Sequence, residues 1–426
     1  MRRRFVNWGK TVTSHPSQWL APASEADVIA AVRGAAGKRL RVVGGGHSWS
    51  AIAAPEQIGL TLDRFAGVIA RDDTTVTVRA GTRLRDLNAA LAADGYALPI
   101  VGSIAEQSLA GVIATGTHGS SLVHGNLASF VERIRLVDGR GNVHDIGRDD
   151  PRLPAARVHL GALGIVTEVV LRILPAFRLA ETVEAVRVDE LPVLLESIAH
   201  SAEYVKVWWM PHARYAHVFR YERTDEPTTT KPDPVRQRWI DEKVMHAWVF
   251  PAVLRLGLVP GLTPRIGRLV AKTFVQPRRV GVSTLMLSTP MPVRHRETEA
   301  AVPMARAGEA VERTLRAVET DRLVVNFPLE IRFVRGDDSW MSPAYGADTC
   351  QIGAYCWGPR APAYFAAFWR EMRALGARPH WGKELDHTAA EVRALWPRAG
   401  EFLALRDQLD PDRVFGSAFH ARTLGG

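Results

Sequence analysis

Between residues 25 and 175, short β-type runs alternate with helical patterns, and several of the turns that join them are rich in glycine. The runs RLRVVGG, TVTVRAG, RIRLVDG and GIVTEVVLRIL alternate with amphipathic stretches such as EADVIAAVRGAAG and LRDLNAALAADGY. Such alternation restricts this part of the chain to an α/β or α+β domain. Ser24 reads as the N-cap of the first helix and Gly37 as the residue that ends it. Past Pro175 the apolar period changes to two, in ETVEAVRV, EYVKVWWMP and AHVFRYE. That period marks an antiparallel sheet with one solvated face. Strands are expected again at LMLSTPM, LVVNFPLEIRFVR and DTCQIGAYCW, and helices over 238–275 and in the tail from RPHWGKE to LDPDRVF. The division falls near residue 176, giving domains over 1–176 and 177–426. At 426 residues each half is long enough to bury a core of its own.

Charge narrows the function classes. The chain carries a net charge of +9, but residues 231–280 hold ten Lys or Arg against three acidic residues. The rest is nearly balanced, which argues against a nucleic-acid-binding protein. Cys350 and Cys356 are too few for a disulfide framework and lack metal-site spacing, so no metal is expected and a cytoplasmic setting fits. The basic start MRRRFVNWGK has no apolar stretch behind it, and the uncharged run 244–254 is too short to span a bilayer.

The glycine-rich turns carry the chemistry. The first is Gly44-Gly45-Gly46-His47-Ser48, directly after a β run. Consecutive small residues let a backbone approach a ligand closely, and successive N–H groups form an anion-binding nest. The turn is neither a dinucleotide fingerprint, since Trp49 stands where a third glycine is needed, nor a phosphate loop. A second segment runs from Gly102-Ser103 to GVIATGTHGSS at 111–121, and a third is Gly161-Ala-Leu-Gly164-Ile165. Three such approaches in one domain point to one long, phosphate-bearing ligand held by backbone N–H groups and hydroxyls.

In this order, GGGHS, GVIATGTHG and ARVHLGALGIVTEV resemble the flavin-binding domain of the vanillyl-alcohol oxidase superfamily. Downstream, VWWMPH, FPLEIRFVRGDD, RPHWGK and LDPDRVF resemble its aldonolactone oxidase branch, with alditol oxidases as cousins. The resemblance implies an α+β flavoprotein: an FAD-binding domain followed by a substrate (cap) domain with a large antiparallel sheet flanked by helices. The tail from about residue 378 would return toward the flavin. It also implies that His47 bonds covalently to FAD and that Gly44, Gly45, Gly46 and Ser48 cradle the pyrophosphate. Ser103, Gly111, Thr115, Gly116 and His118 would line the isoalloxazine and ribityl side and Ile165 the adenine end, with Gly164 also among the cofactor-binding residues. His118 would hold its loop more than act as a base. Gly102 occupies the position that resembles the family's oxygen gate.

Glu330 and Arg332 alternate on one strand and so share a face. The resemblance makes Glu330 the acceptor of a hydrogen bond from a substrate hydroxyl, and Arg332 the cation that fixes substrate oxygen and reduced flavin. Lys383, in His380-Trp381-Gly382-Lys383, would complete the catalytic set. Substrate-wall candidates are 208–212 together with Gln351, Gly353, Ala354 and Cys356. The implied reaction is FAD-dependent oxidation of a secondary alcohol on an aldono-1,4-lactone or related sugar, with O2 as acceptor and hydrogen peroxide as product. Alternatives are an alditol oxidase, a dehydrogenase using a quinone, cytochrome or dye, or a basic surface-binding module. The expected chain is a monomer or small homo-oligomer, with membrane or partner contact through 231–280.

Overall fold

The computed structural model describes residues 4–35, 37–229, 248–259, 261–288 and 293–426. In the first part, a three-stranded parallel sheet (Gln18–Leu20, Ile58–Leu60, Leu40–Val42) accompanies a five-stranded antiparallel one. The latter runs Val143–Ile146, Val131–Val137, Ile165–Arg172, Thr75–Arg79, Val68–Arg71. Helix Glu25–Arg33 begins in a capping box. The Ser24 hydroxyl accepts from the Asp27 N–H at 3.1 Å, and the Asp27 carboxylate accepts from the Ser24 N–H at 3.1 Å. The helix stops a turn earlier than expected. Gly34 is its C-cap, donating back to the Ala30 carbonyl, while Gly37, at φ +72°, turns the chain into the next strand. Helix Leu84–Ala93 buries Leu84, Leu87 and Leu91, the i, i+3, i+7 stripe of an amphipathic helix.

One hydrophobic core joins both sheets and extends into the C-terminal tail. Leu40, Leu87, Ile134 and Val169 share it with Trp381, Trp396, Phe402 and Phe419. The tail helices Ala389–Leu395, Ala399–Leu409 and Ala418–Leu424 therefore close the first part. The buried Arg41 guanidinium holds this closure, donating to the carbonyls of Ile52, Leu160, Gly161 and Phe415 at 2.7–2.9 Å.

The second part is an eight-stranded antiparallel sheet. Its order is Arg279–Val282, Arg178–Arg187, Tyr215–Thr224, Tyr204–Trp209, Leu329–Val334, Thr349–Cys356, Arg296–Pro303, Arg378–Pro379. One face, with Val207, Trp209, Ile331, Phe333, Ile352 and Val302, packs on helices Leu191–Ala199, Ala307–Thr320 and Ala361–Ala374. The opposite face is not the solvated one expected, except near Ala185 and Tyr215. Lys206, His217, Glu297, Glu299, Glu330 and Gln351 all lie buried there. The reason is that the 99–121 segment covers this face, joined over Glu297 and Glu299 by the turn at 380–383. The Tyr204 hydroxyl donates to the Pro99 carbonyl at 2.7 Å, and the Phe333 N–H donates to the Ser120 hydroxyl at 3.0 Å.

Two further expectations change. Residues Ser283–Leu287 form a short helix where a strand was expected; 289–292 lie outside the described residues. In the basic segment the structure describes helices Phe250–Leu256 and Thr263–Lys272, and the expectation for 238–247 falls outside the described residues. Among the described residues no helix is long and apolar enough to cross a membrane.

Candidate active site

Strand Leu40–Val42 ends in Gly44, Gly45 and Gly46, the last at φ +68°, and these with His47 and Ser48 wall an elongated cavity. Gly111, Thr115, Gly164 and Ile165 line the same cavity. Side chains would close it: a Cβ on Gly44 would lie 2.1 Å from the Ser108 hydroxyl, and one on Gly45 2.7 Å from the Glu106 carbonyl. Among the described residues, no hydrogen bond is donated by the backbone N–H groups of 44–48. Five successive donors face a cavity whose guanidinium, that of Arg41, is already committed to carbonyls. This is the donor set of a nest for a pyrophosphate, and it fits FAD.

A second cavity continues from the first, sharing His47, Ser48, Gln107 and Thr115 with it. Gly102, Ser103, His118, Arg332 and Lys383 line it. His47 thus sits where the two meet. Its ring stacks near Trp8, with centroids 6.0 Å apart, and burial lowers its pKa below 6.5, favouring the neutral imidazole. Gly116, at φ +66°, lines neither cavity; it makes the turn that ends helix Leu109–Ala114.

The sheet places the polar residues in rows. Antiparallel register sets Trp208 opposite Glu330, Glu330 opposite Gly353 and Gly353 opposite Glu299; the next row sets Lys206 opposite Arg332 and Arg332 opposite Gln351. Gly353 matters here by having no side chain. A Cβ would come within 2.9 Å of the Tyr355 ring, whose hydroxyl reaches the Glu330 carboxylate at 2.8 Å. Ala354 and Cys356, expected on the substrate wall, face the helices on the other side, as strand alternation requires.

Glu330 is not placed to meet a substrate hydroxyl as the resemblance implied. It lies outside the cavity lining, and its carboxylate already accepts from Trp208 Nε1, the Tyr355 hydroxyl and Arg332 at 2.8 Å each. Its position is behind Arg332, which it orients together with Ser103, whose hydroxyl accepts from the guanidinium at 2.5 Å. Burial would raise the Glu330 pKa, but Arg332, Lys206 and Trp208 override it and bring it to about 2. A carboxylate depressed on folding contributes stability that is present above its unfolded value of 4.5 and is lost as pH falls toward 2. Glu330→Gln should therefore flatten the fall in melting temperature across that window, measured by thermal melts at stepped pH. An unchanged acid limb would contradict the assignment.

Lys383 approaches from the tail. The turn that carries it is bound to the GGGHS turn: the Trp49 N–H donates to the Gly382 carbonyl, and the Ser50 hydroxyl to the Trp381 carbonyl, each at 2.7 Å. The ammonium pairs with Glu297, stands 3.9 Å from Glu299, and lies 4.6 Å over the Trp49 ring. Burial opposes charge on both carboxylates, yet both have lowered pKa values: Glu297 mainly through Lys383, Glu299 mainly through His118. His118 Nε2 meets Glu299 at 2.9 Å while Nδ1 meets the Gly119 carbonyl at 2.8 Å, so both ring nitrogens face acceptors and the ring holds its loop. His380 is pushed down to about 3, chiefly by burial, and its Nδ1 accepts from the Gly382 N–H at 3.0 Å. Its proton therefore sits on Nε2, and the ring stays neutral.

The sequence reading missed Glu297, Glu299, His295 and Tyr355, all of which line the second cavity. The signal was there in Arg296-Glu-Thr-Glu, two carboxylates at spacing two on a strand, and it went unread because the segment is not glycine-rich.

The D-arabinono-1,4-lactone oxidase family model matches residues 169–423, and an FAD-binding-domain model matches 16–147. The chain belongs to the D-arabinono-1,4-lactone oxidase family. It is 33% identical to L-gulono-1,4-lactone dehydrogenase of Mycobacterium tuberculosis, over 99% of both chains. It is 28% identical to L-gulonolactone oxidase of Bos taurus, over 98% of this chain and 97% of that one. Among solved structures, cholesterol oxidase from B. sterolicum shares the fold, with TM-score 0.84 at 17% identity, covering 100% of this chain and 97% of that one. This member of the family is an FAD-dependent oxidoreductase with the two-part fold of the vanillyl-alcohol oxidase type.

Proposed function

We propose that the protein oxidises a secondary alcohol of an aldono-1,4-lactone and passes the electrons to O2. The observation that carries this reading is the convergence of Arg332 and Lys383 on the cavity that His47 and Gly102 also line. FAD, when bound, supplies the hydride acceptor. Gly44, Gly45, Gly46 and Ser48 hold its pyrophosphate through the backbone donors described above. Gly111, Thr115, Gly164 and Ile165 would wall the rest of its length, and His47, held neutral by burial, would be the residue placed for a covalent link.

The chain's own residues prepare the alcohol. Arg332, fixed by Glu330 and Ser103, and Lys383, fixed by Glu297, place two cations at one wall. Their field lowers the pKa of a hydroxyl bound between them, so its proton would pass to a weak base, the Glu297 or Glu299 carboxylate on the same cavity wall. Tyr355, Trp208 and Glu330 form the rigid back of the site. An oxygen-uptake panel of lactones and alditols tests the substrate: turnover of alditols alone would replace the lactone reading by the alditol one.

Gly102 supports O2 as acceptor, since a side chain there would enter the second cavity. A Cβ would meet the Thr117 methyl at 3.0 Å, so alanine fits after a small shift of that side chain. Gly102→Ala should slow reoxidation by O2 about tenfold, with dye-linked turnover and flavin content retained. Equal loss of both activities would remove the gate. The M. tuberculosis relative is named a dehydrogenase, which makes the acceptor the part of this proposal to test first.

A further inference from the structure

The basic segment has a surface that the catalytic site does not use. From residue 243 to 296 the chain contains nine Lys or Arg and no Asp or Glu. Helix Thr263–Lys272 turns Thr263, Gly267 and Ala271 inward, toward Met210 and Pro211. Its opposite face presents Arg265, Arg268, Leu269 and Lys272, the i, i+3, i+4, i+7 positions, and Leu269 is 66% exposed. In the same stretch of chain Trp248 is 77%, Leu285 69% and Val275 58% exposed. Nine of the fifteen exposed large apolar side chains among the described residues fall within 248–285, under a tenth of the chain, so this concentration is local.

We propose that this face docks on an anionic lipid surface, with the Thr263–Lys272 helix lying in the plane of the headgroups. Isolated apolar side chains set among cations are the chemistry of an interfacial helix: the apolar tips enter the acyl boundary and the cations meet lipid phosphates. The absence of any carboxylate from 243 to 296 argues against a second copy of the same face as partner, because like charges would oppose each other. The inner side of the same helices reaches the catalytic wall. Leu254 packs with Phe327 and Tyr355, and the Phe274 ring lies 5.3 Å from that of Trp208. Docking therefore brings the substrate cavity within one helix layer of the bilayer. The inference stands independently of which alcohol is oxidised.

The test is co-sedimentation of the flavin-loaded full chain with vesicles of phosphatidylcholine alone or mixed with phosphatidylglycerol. Binding is expected to the mixed vesicles, weakened by salt and absent with phosphatidylcholine alone. The triple variant Arg265→Gln, Arg268→Gln, Lys272→Gln should weaken it about a hundredfold, at roughly fivefold for each cation near the surface. Leu269→Ser with Leu285→Ser should weaken it at unchanged charge. Flavin content and dye-linked turnover in solution should match wild type in both variants, which shows that they fold. No binding to the mixed vesicles, equal binding to both kinds, binding undiminished in the triple variant, or salt-sensitive self-association in place of vesicle binding would each overturn the proposal.

Discussion

Lys383→Ala should leave the flavin bound and slow its reduction by lactone about a thousandfold, the scale expected when a preorganised charge is removed from a water-poor site. Anaerobic stopped-flow bleaching of the flavin measures this directly. Removing the ammonium leaves Glu297 and Glu299 without their shared cation at the cavity wall, so that wall becomes more negative where the alcohol must lose a proton. Loss should therefore appear in the reduction rate and not only in substrate binding. Lys383→Arg, which keeps the charge but alters its shape, should recover part of the rate. Arg332→Ala should show a loss of similar size, but it also strands the buried Glu330 carboxylate and will lower the melting temperature. Reduction at the wild-type rate in Lys383→Ala would remove the two-cation mechanism.

His47→Ala should eliminate covalent flavin altogether. Wild type is expected to keep flavin through acid precipitation and to show an intact mass heavier by one FAD; the variant should release its flavin and show the mass of the bare chain. The ring's placement at the junction of the two cavities, and its lowered pKa, are the grounds for expecting the link at His47. The backbone donors at 44–48 are untouched, so the variant should still bind FAD reversibly. Wild type that releases its flavin in acid would refute the link, leaving the cradle itself intact.

How much of this was legible in the sequence differs from element to element. The Ser24 cap was readable because a capping box is a local event: a hydroxyl and a carboxylate three residues apart satisfy each other's backbone donors. The exact end of the same helix was not, since Gly34 and Gly37 both permit a stop and only the course of the next strand selects between them. The glycine turns were readable for a related reason, because close backbone approach to a ligand demands small residues in a row. Glu330 and Arg332 were visible as a pair on one strand face. The division of labour between them was not, because Trp208, Tyr355 and Ser103 reach them from strands and loops remote in the chain.

Local patterning alone was enough to assign the protein its class. Periodicity separated a glycine-rich α/β part from an antiparallel sheet, and the order of the motifs resembled one flavoprotein family, because backbone proximity and strand alternation are written in local spacing. The net charge of +9 was informative only once its location was known. Tertiary structure decided which face of the large sheet became the site. Covering that face with the 99–121 segment turned a nominally solvated side into a buried one, and burial is what makes its carboxylates and cations act on one another strongly. It also decided that Lys383 stands beside the GGGHS turn, through hydrogen bonds from Trp49 and Ser50 to a loop more than three hundred residues away. No local pattern encodes that contact, since it exists only once the tail helices have packed into the first core.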